Sequence, residues 1–294
     1  MKKNSTTIIM VLFFFVGHSI LLYPAVSNLY NKKLQSNAIV DYESLLENIN
    51  ANDYQQMIEE AKKYNKELKT LKNPFYTHDT IEEYKDTLNV DGNGMIGYIE
   101  IKKIKVELPI YHGTSKNVLS KAVGHLEGTT LPIGGTGTHS VLSAHRGLPS
   151  SDLFTNLDKL EKGDTFTIKI LDRELIYEVD NILIVEPTEI ENLYIKDNED
   201  YVTLMTCTPY GINTHRMLVR GKRIENIEKS TYITTEAFKI NNLIVMPLVA
   251  IPIILIILLI VLFKPINRSN SIKEKYLYPT KIKKEFGGNK NEKK

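Results

Sequence analysis

The sequence predicts a mainly β domain, an antiparallel sandwich or barrel, preceded by helices and flanked by two apolar segments of membrane length. Three observations predict this. From Met95 to Ile224, runs of β-branched and aromatic residues alternate with Gly, Pro, Asn and Asp punctuation. Residues 38–70 instead place apolar side chains at helical spacing. Residues 7–26 and 243–263 are almost continuously apolar.

The first apolar segment reads "TIIMVLFFFVGHSILLYPAV" and follows Lys2 and Lys3. Its length fits a membrane anchor, while the small residues Ala25 and Ser27 also fit the end of a cleavable signal peptide. The second reads "LIVMPLVAIPIILIILLIVLF" and carries no charge, and roughly 20 such residues span a bilayer core. Lysines precede the first segment. Lys264, Arg268, Lys273, Lys275, Lys281, Lys283 and Lys284 follow the second. The positive-inside rule then puts both termini in the cytoplasm and everything between the spans outside. The tail at 264–294 reads as a topology signal attracted to anionic lipid. A net charge of +2 gives no general pull towards nucleic acid, and none is expected as a partner.

Within residues 38–70, Ile39, Tyr42, Leu45, Leu46 and Ile49, then Tyr54, Met57, Ile58 and Ala61, mark one or two amphipathic helices broken near Asn50–Asp53. Asn73-Pro74 stops the helix, because the residue before proline is pushed out of the α region. Phe75 and Tyr76 follow in an aromatic loop. The strand runs are 95–113, 138–145, 165–170, 175–185, 201–207 and 216–224. The glycine-rich "GGTGTHS" lacks both GxGxxG spacing and a P-loop Lys-Ser/Thr, and reads as a loop between strands.

Cys207 is the only cysteine, which excludes an intrachain disulfide and a cysteine-rich zinc site. A lone thiol is a small buried residue, a redox sensor or a nucleophile. In "YVTLMTC", Val202, Leu204 and Thr206 point to one side, and Thr203, Met205 and Cys207 to the other. Pro209 ends the strand, and "RMLVRG" begins another. If the two pair as a hairpin, Arg216 returns at the level of Cys207, where its charge favours thiolate and can stabilise an oxyanion. A cysteine nucleophile normally needs a histidine. His78, His112, His125, His139, His145 and His215 lie outside the apolar segments. His145 is best placed, at a strand-to-loop junction, but His139 shares its strand face, so periodicity leaves both open. One cysteine with scattered histidines is a weak metal set. No cofactor is expected.

The stretch "TLMTCTPYGINTHRMLVRG" (203–221) resembles the signature around the active-site cysteine of sortases, the cysteine transpeptidases of Gram-positive cell surfaces. "EGTTLPIGGTGTHSVLSAHRGLPSSDLFTNLDKL" (127–160) resembles the histidine segment of the same family. The closest match is to class C, the pilin-polymerising sortases, and two membrane segments fit that class. The resemblance implies a sortase-type eight-stranded β-barrel with N-terminal helices and a lid loop. It implies His145, Cys207 and Arg216 as the catalytic trio, and so selects His145 over His139. The implied layout is an anchor or signal segment at 1–28, a helical segment with lid at 29–90, a catalytic barrel at 91–232, a transmembrane helix at 243–263 and the tail at 264–294.

The implied reaction is cleavage of an LPXTG-like sorting signal between Thr and Gly through a thioacyl enzyme, then transfer to a pilin lysine. Its partners are pilins or surface proteins bearing that signal, and the lipid bilayer. Free thiols titrate near ~8.5 and imidazoles near ~6.5, so a thiolate–imidazolium pair is a minority species unless the site shifts both. Class C lids often carry Asp-Pro-aromatic. Here Asn73, Pro74 and Phe75 occupy that motif, and the uncharged Asn73 removes a lid ion pair to Arg216. The lid is then expected to hold by packing. Two other functions fit less of the sequence. One is a sortase that anchors surface proteins to cell-wall peptide, and the other is a catalytically inactive, membrane-tethered binding module.

Overall fold

A computed structural model describes residues 2–90, 92–225 and 254. The expected span at 243–263 and the tail at 264–294 lie outside the described residues, position 254 apart. Helix α1 runs over Lys2–Leu46 and contains Pro24. The apolar segment and the first amphipathic helix are thus one element, since no run of turn residues separates them. This is the one described helix long and apolar enough to cross a membrane, and the side chains of its apolar part are largely exposed. Helix α2, Ala51–Thr70, starts where the side chain of Asn50 accepts the N–H groups of Asn52 and Asp53. Its buried face comprises Ile58, Ala61, Tyr64, Asn65 and Leu68. Pro74 opens a single-turn helix, α3, over Pro74–Thr77.

Eight strands follow: β1 Met95–Ile101, β2 Val106–His112, β3 Val123–His125, β4 Thr138–Ser143, β5 Thr165–Ile170, β6 Arg173–Val185, β7 Asp200–Thr208 and β8 His215–Arg223. They close into a barrel in the order β1-β2-β3-β4-β7-β8-β6-β5. The run at 95–113 is two strands, because Lys102–Ile104 form a tight turn that ends on Lys105 in the left-handed region. The three-residue β3 is too short to show alternation. The sheet is also not wholly antiparallel. A short helix, α4 (Lys116–Leu119), carries the chain across so that β2 and β3 run parallel, and the β5–β6 hairpin intervenes so that β4 and β7 do too.

The inward face of every strand fills the barrel. Ile99, Ile110, Leu142, Phe166, Ile168, Tyr177, Val202, Leu204 and Val219 share one buried cluster, which Ile58, Leu68 and Tyr84 extend to the helices. Burying each large apolar side chain stabilises by about 1.5–3 kcal/mol. Gly221 gives Phe166 room, since a Cβ there would stand 2.6 Å from its ring and 2.8 Å from the Tyr177 Cβ.

Three polar pins fix the N-terminal helices to the barrel. The Tyr42 hydroxyl accepts the Leu171 N–H at 3.0 Å and donates to the Ile96 carbonyl. The Asn65 amide pairs with both the N–H and the C=O of Leu131. The Tyr84 hydroxyl lies 2.8 Å from Nδ1 of His125 and accepts the Gly113 N–H. Nε2 of His125 lies 2.9 Å from the Thr130 carbonyl. That carbonyl accepts only, so Nε2 carries the proton and Nδ1 accepts from Tyr84. Complete burial, opposed by the Thr130 hydrogen bond, pushes the pKa of this imidazole down to about 3.

Gly221→Ala is expected to destabilise the protein by about 1–3 kcal/mol in urea unfolding, as overpacking does elsewhere. Below pH ~6.5 an unfolded histidine binds a proton that folded His125 refuses, so stability is expected to fall as pH drops towards about 3. Urea midpoints between pH 7 and 4 should therefore drop less steeply in His125→Gln than in the unsubstituted chain.

Candidate active site

Strand β7 has two faces. Val202 and Leu204 point into the barrel, whereas Met205 joins an outer apolar patch with Val141, Val185, Leu193 and Leu218. Cys207 shares the parity of Met205 and is half-buried, as a free thiol. In the β7–β8 ladder Cys207 pairs directly with Arg216. Directly opposed residues of antiparallel strands project to the same face, about 4.5–5.5 Å apart at Cβ. The hairpin thus sets Cys207 and Arg216 side by side on the outer face of the barrel. Arg216 donates to the carbonyls of Asn213 and His215, and among the described residues it pairs with no carboxylate.

On its other edge β7 runs parallel to β4, with Ser143 level with Met205. Continued by two residues, that register sets His145 level with Cys207. The continuation is tied by hydrogen bonds: the Ala144 N–H donates to the Met205 carbonyl at 3.1 Å, and the Thr206 hydroxyl donates to the Ala144 carbonyl at 2.8 Å. Partial burial pushes the pKa of His145 below its ordinary value, so the neutral ring is favoured at neutral pH.

His139 shares the face of His145 but not its freedom. Its Nδ1 lies 3.0 Å from the Tyr194 carbonyl and its Nε2 lies 2.7 Å from the Thr203 hydroxyl. Nδ1 therefore donates and Nε2 accepts, which fixes a neutral tautomer. Burial pushes its pKa down to about 4, with the Tyr194 hydrogen bond opposing. His139 ties the β6–β7 loop onto the sheet. The other histidines lie elsewhere: His125 in the Tyr84 pin, His112 on Gly94 O, His78 on Pro74 O and His215 exposed beside Thr214. Among the described residues no group of three or more His, Cys, Asp or Glu stands close enough to hold a metal ion.

The outer patch has a roof. Tyr194 belongs to the β6–β7 loop, and Phe75 of α3 meets its ring edge-on at a centroid distance of 5.4 Å. Phe75 also packs on the patch that includes Met205 and Leu183. Gly128 lets α3 come close, since a Cβ there would stand 2.7 Å from the Pro74 carbonyl oxygen. Asn73 is exposed and its carbonyl caps the turn, accepting the N–H groups of Tyr76 and Thr77. The sequence pattern singles out Phe75 but not Tyr194. It also passes over Arg146, whose guanidinium is nearly buried, pairs with Asp158 at 2.5 Å and reaches the Thr208 hydroxyl beside Cys207. Its position directly after His145 is the one sequence signal for it.

Comparison with known proteins agrees with this geometry. Residues 99–224 match the family described as Sortase domain. Sortase D of Bacillus subtilis (strain 168) is 32% identical over 131 residues, which cover 44% of this chain and 63% of that protein. The chain thus spans less than two thirds of this curated relative. The crystal structure of sortase C1 from Streptococcus agalactiae is 50% identical, with a TM-score of 0.62, over 65% of this chain and 100% of that one. A Clostridium perfringens sortase C, solved with the C-terminal cell wall sorting motif, is 46% identical with a TM-score of 0.57, over 65% of this chain and 99% of that one. The eight-stranded barrel, the hairpin that pairs its single cysteine with an arginine and this identity across an entire solved domain have one common reading: the chain belongs to class C of the sortase family of cysteine transpeptidases.

Proposed function

We propose that this chain is a membrane-anchored transpeptidase that joins pilin subunits through Cys207. The observation that carries the proposal is the β7 register, which sets Cys207 opposite Arg216 and level with His145. In this reading the Cys207 thiolate attacks the Thr carbonyl carbon of an LPXTG-like signal, and the carbonyl oxygen gains the charge. Arg216, unpaired with any carboxylate among the described residues, stabilises that oxyanion. The C–N bond then breaks, and the imidazolium of His145 gives its proton to the departing glycine amine. A lysine amine of the next pilin attacks the thioacyl carbon, His145 takes up the surplus proton, and the thiolate leaves an isopeptide bond. The lowered pKa of His145 keeps the imidazolium a minority at neutral pH, so the active fraction is small.

Three further observations support the wider reading. The Clostridium perfringens neighbour was solved with a sorting motif, the class of substrate proposed here. The apolar part of α1 is long enough to anchor the chain in a bilayer, and the flanking charges support a barrel on the outer side. The α3 turn, resting on Tyr194 and the patch beside Met205, is proposed as the lid, held by packing because Asn73 carries no charge.

Incubation with an LPXTG-type peptide is expected to add the acyl fragment to the intact mass, and Cys207→Ala should abolish the adduct. His145→Ala and Arg216→Ala should each slow its formation by about a hundredfold or more. Transfer to a peptidoglycan-type amine rather than a pilin lysine would reassign the chain to cell-wall anchoring. No adduct and no hydrolysis across several sorting signals would overturn transpeptidation. Phe75→Ala is expected to speed alkylation of Cys207 by about 2- to 10-fold, the shift in lid opening that a loss of ~0.5–1.5 kcal/mol of aromatic pairing gives. An unchanged rate would show that the lid does not cover the thiol.

A further inference from the structure

We propose that the stretch of α1 just after its apolar segment positions the loop that carries His145, with Asn28, Lys32 and Gln35 as positioning residues. This rests on the role of His145 proposed above. The loop leaves β4 after Ser143 and has little regular structure of its own. It closes on itself through the Phe154 N–H, which donates to the His145 carbonyl at 3.1 Å. Phe154 is fully buried and roots one side in the core. The tip, Ser150–Asp152, is flanked by Leu148 and Leu153, which also pack on the core, and its own polar side chains are held by α1.

Asn28 grips Asp152 twice. Its Nδ2 donates to the carboxylate at 2.8 Å, and its Oδ1 accepts the Asp152 backbone N–H at 3.0 Å. One turn on, Asn31 donates to the Ser150 carbonyl and Lys32 pairs with the Asp152 carboxylate, each at 2.8 Å. A further turn on, Gln35 is buried and donates to the Ser151 hydroxyl at 3.2 Å and to the Lys121 carbonyl at 2.8 Å. Positions 28, 31, 32 and 35 lie on one helix face, so a single stiff rod makes every contact. Burial alone would raise the Asp152 pKa, but the Lys32 and Asn28 hydrogen bonds and the Lys32 charge outweigh it and hold the carboxyl below its usual range. The clamp is therefore charged and intact at neutral pH.

The lever is short. Asp152 is seven residues from His145, and the Phe154–His145 hydrogen bond links the clamped tip back to the histidine. Releasing the tip frees the segment that aims the imidazole, while Cys207 and Arg216 stay fixed in the barrel ladder. The clamp begins two residues beyond the apolar segment, one turn after Pro24, so the helix that would enter the bilayer is the helix that sets the histidine.

The test uses the full chain in lipid nanodiscs with an LPXTG-type peptide, comparing Asn28→Ala/Gln35→Ala, Asp152→Ala and Asp152→Asn. The first two are expected to lower kcat by about 10- to 100-fold with KM within about twofold, because misplacing a reacting group by ~1 Å costs that much while ground-state binding is untouched. Hydrogen exchange should quicken within residues 145–156 and nowhere in the strands. Asp152→Asn keeps an oxygen for the Asn28 amide and should recover most of the rate. Unchanged kcat, or a loss shared with KM and accompanied by faster exchange throughout the barrel, overturns the proposal. Failure of the underlying reading is distinct: His145→Ala turning over at the unsubstituted rate would remove the site, whatever the clamp variants do.

Discussion

Strand β7 is the constraint on which the rest of the molecule depends. It is hydrogen-bonded on both edges, parallel to β4 and antiparallel to β8, and its side chains alternate between the barrel interior and the outer patch. Val202 and Leu204 cannot leave the interior without exposing large apolar surface, so the register is fixed by the core. Once it is fixed, Cys207 must face outward, Arg216 must lie opposite it, and the end of β4 must deliver His145 alongside. A slip of β7 by one residue would turn Cys207 into the barrel and leave Arg216 and His145 without it on their face. The arrangement of Cys207, Arg216 and His145 is thus held by packing on the opposite side of the strand.

Around that strand the protein separates two kinds of histidine by burial and partners. His125 and His139 each have both ring nitrogens engaged and are held neutral, one joining the helical segment to the barrel and the other joining a loop to the sheet. Among the described residues His145 has no such pair of partners, and it is only partly buried. The same residue type acts as a rivet where desolvation is complete and as a candidate proton carrier where it is not.

This is also where the sequence stops being legible. Alternation and Pro209 were enough to read the β7–β8 hairpin and the level of Arg216, because those signals are local. Strand parity could not separate His139 from His145, because the difference lies in the Tyr194 carbonyl and the Thr203 hydroxyl, which are 55 and 64 residues from His139. The three-residue β3 and the two parallel pairings were equally out of reach, since they depend on where crossovers land. Asn28, Asn31, Lys32 and Gln35 do form a polar stripe at helical spacing, but nothing local tells a docking face from a solvated one. Between the two, only the family resemblance selects His145.

Tyr194 carries two unlike contacts. Its backbone carbonyl receives His139, and its ring receives Phe75. A carbonyl is common to all residues, so the loop stays riveted to the sheet whatever side chain occupies the position. The ring alone meets the α3 turn. Evolution can therefore vary position 194 to tighten or loosen the cover over the patch without disturbing the hydrogen bond beneath it, which separates the tuning of that cover from the upkeep of the sheet.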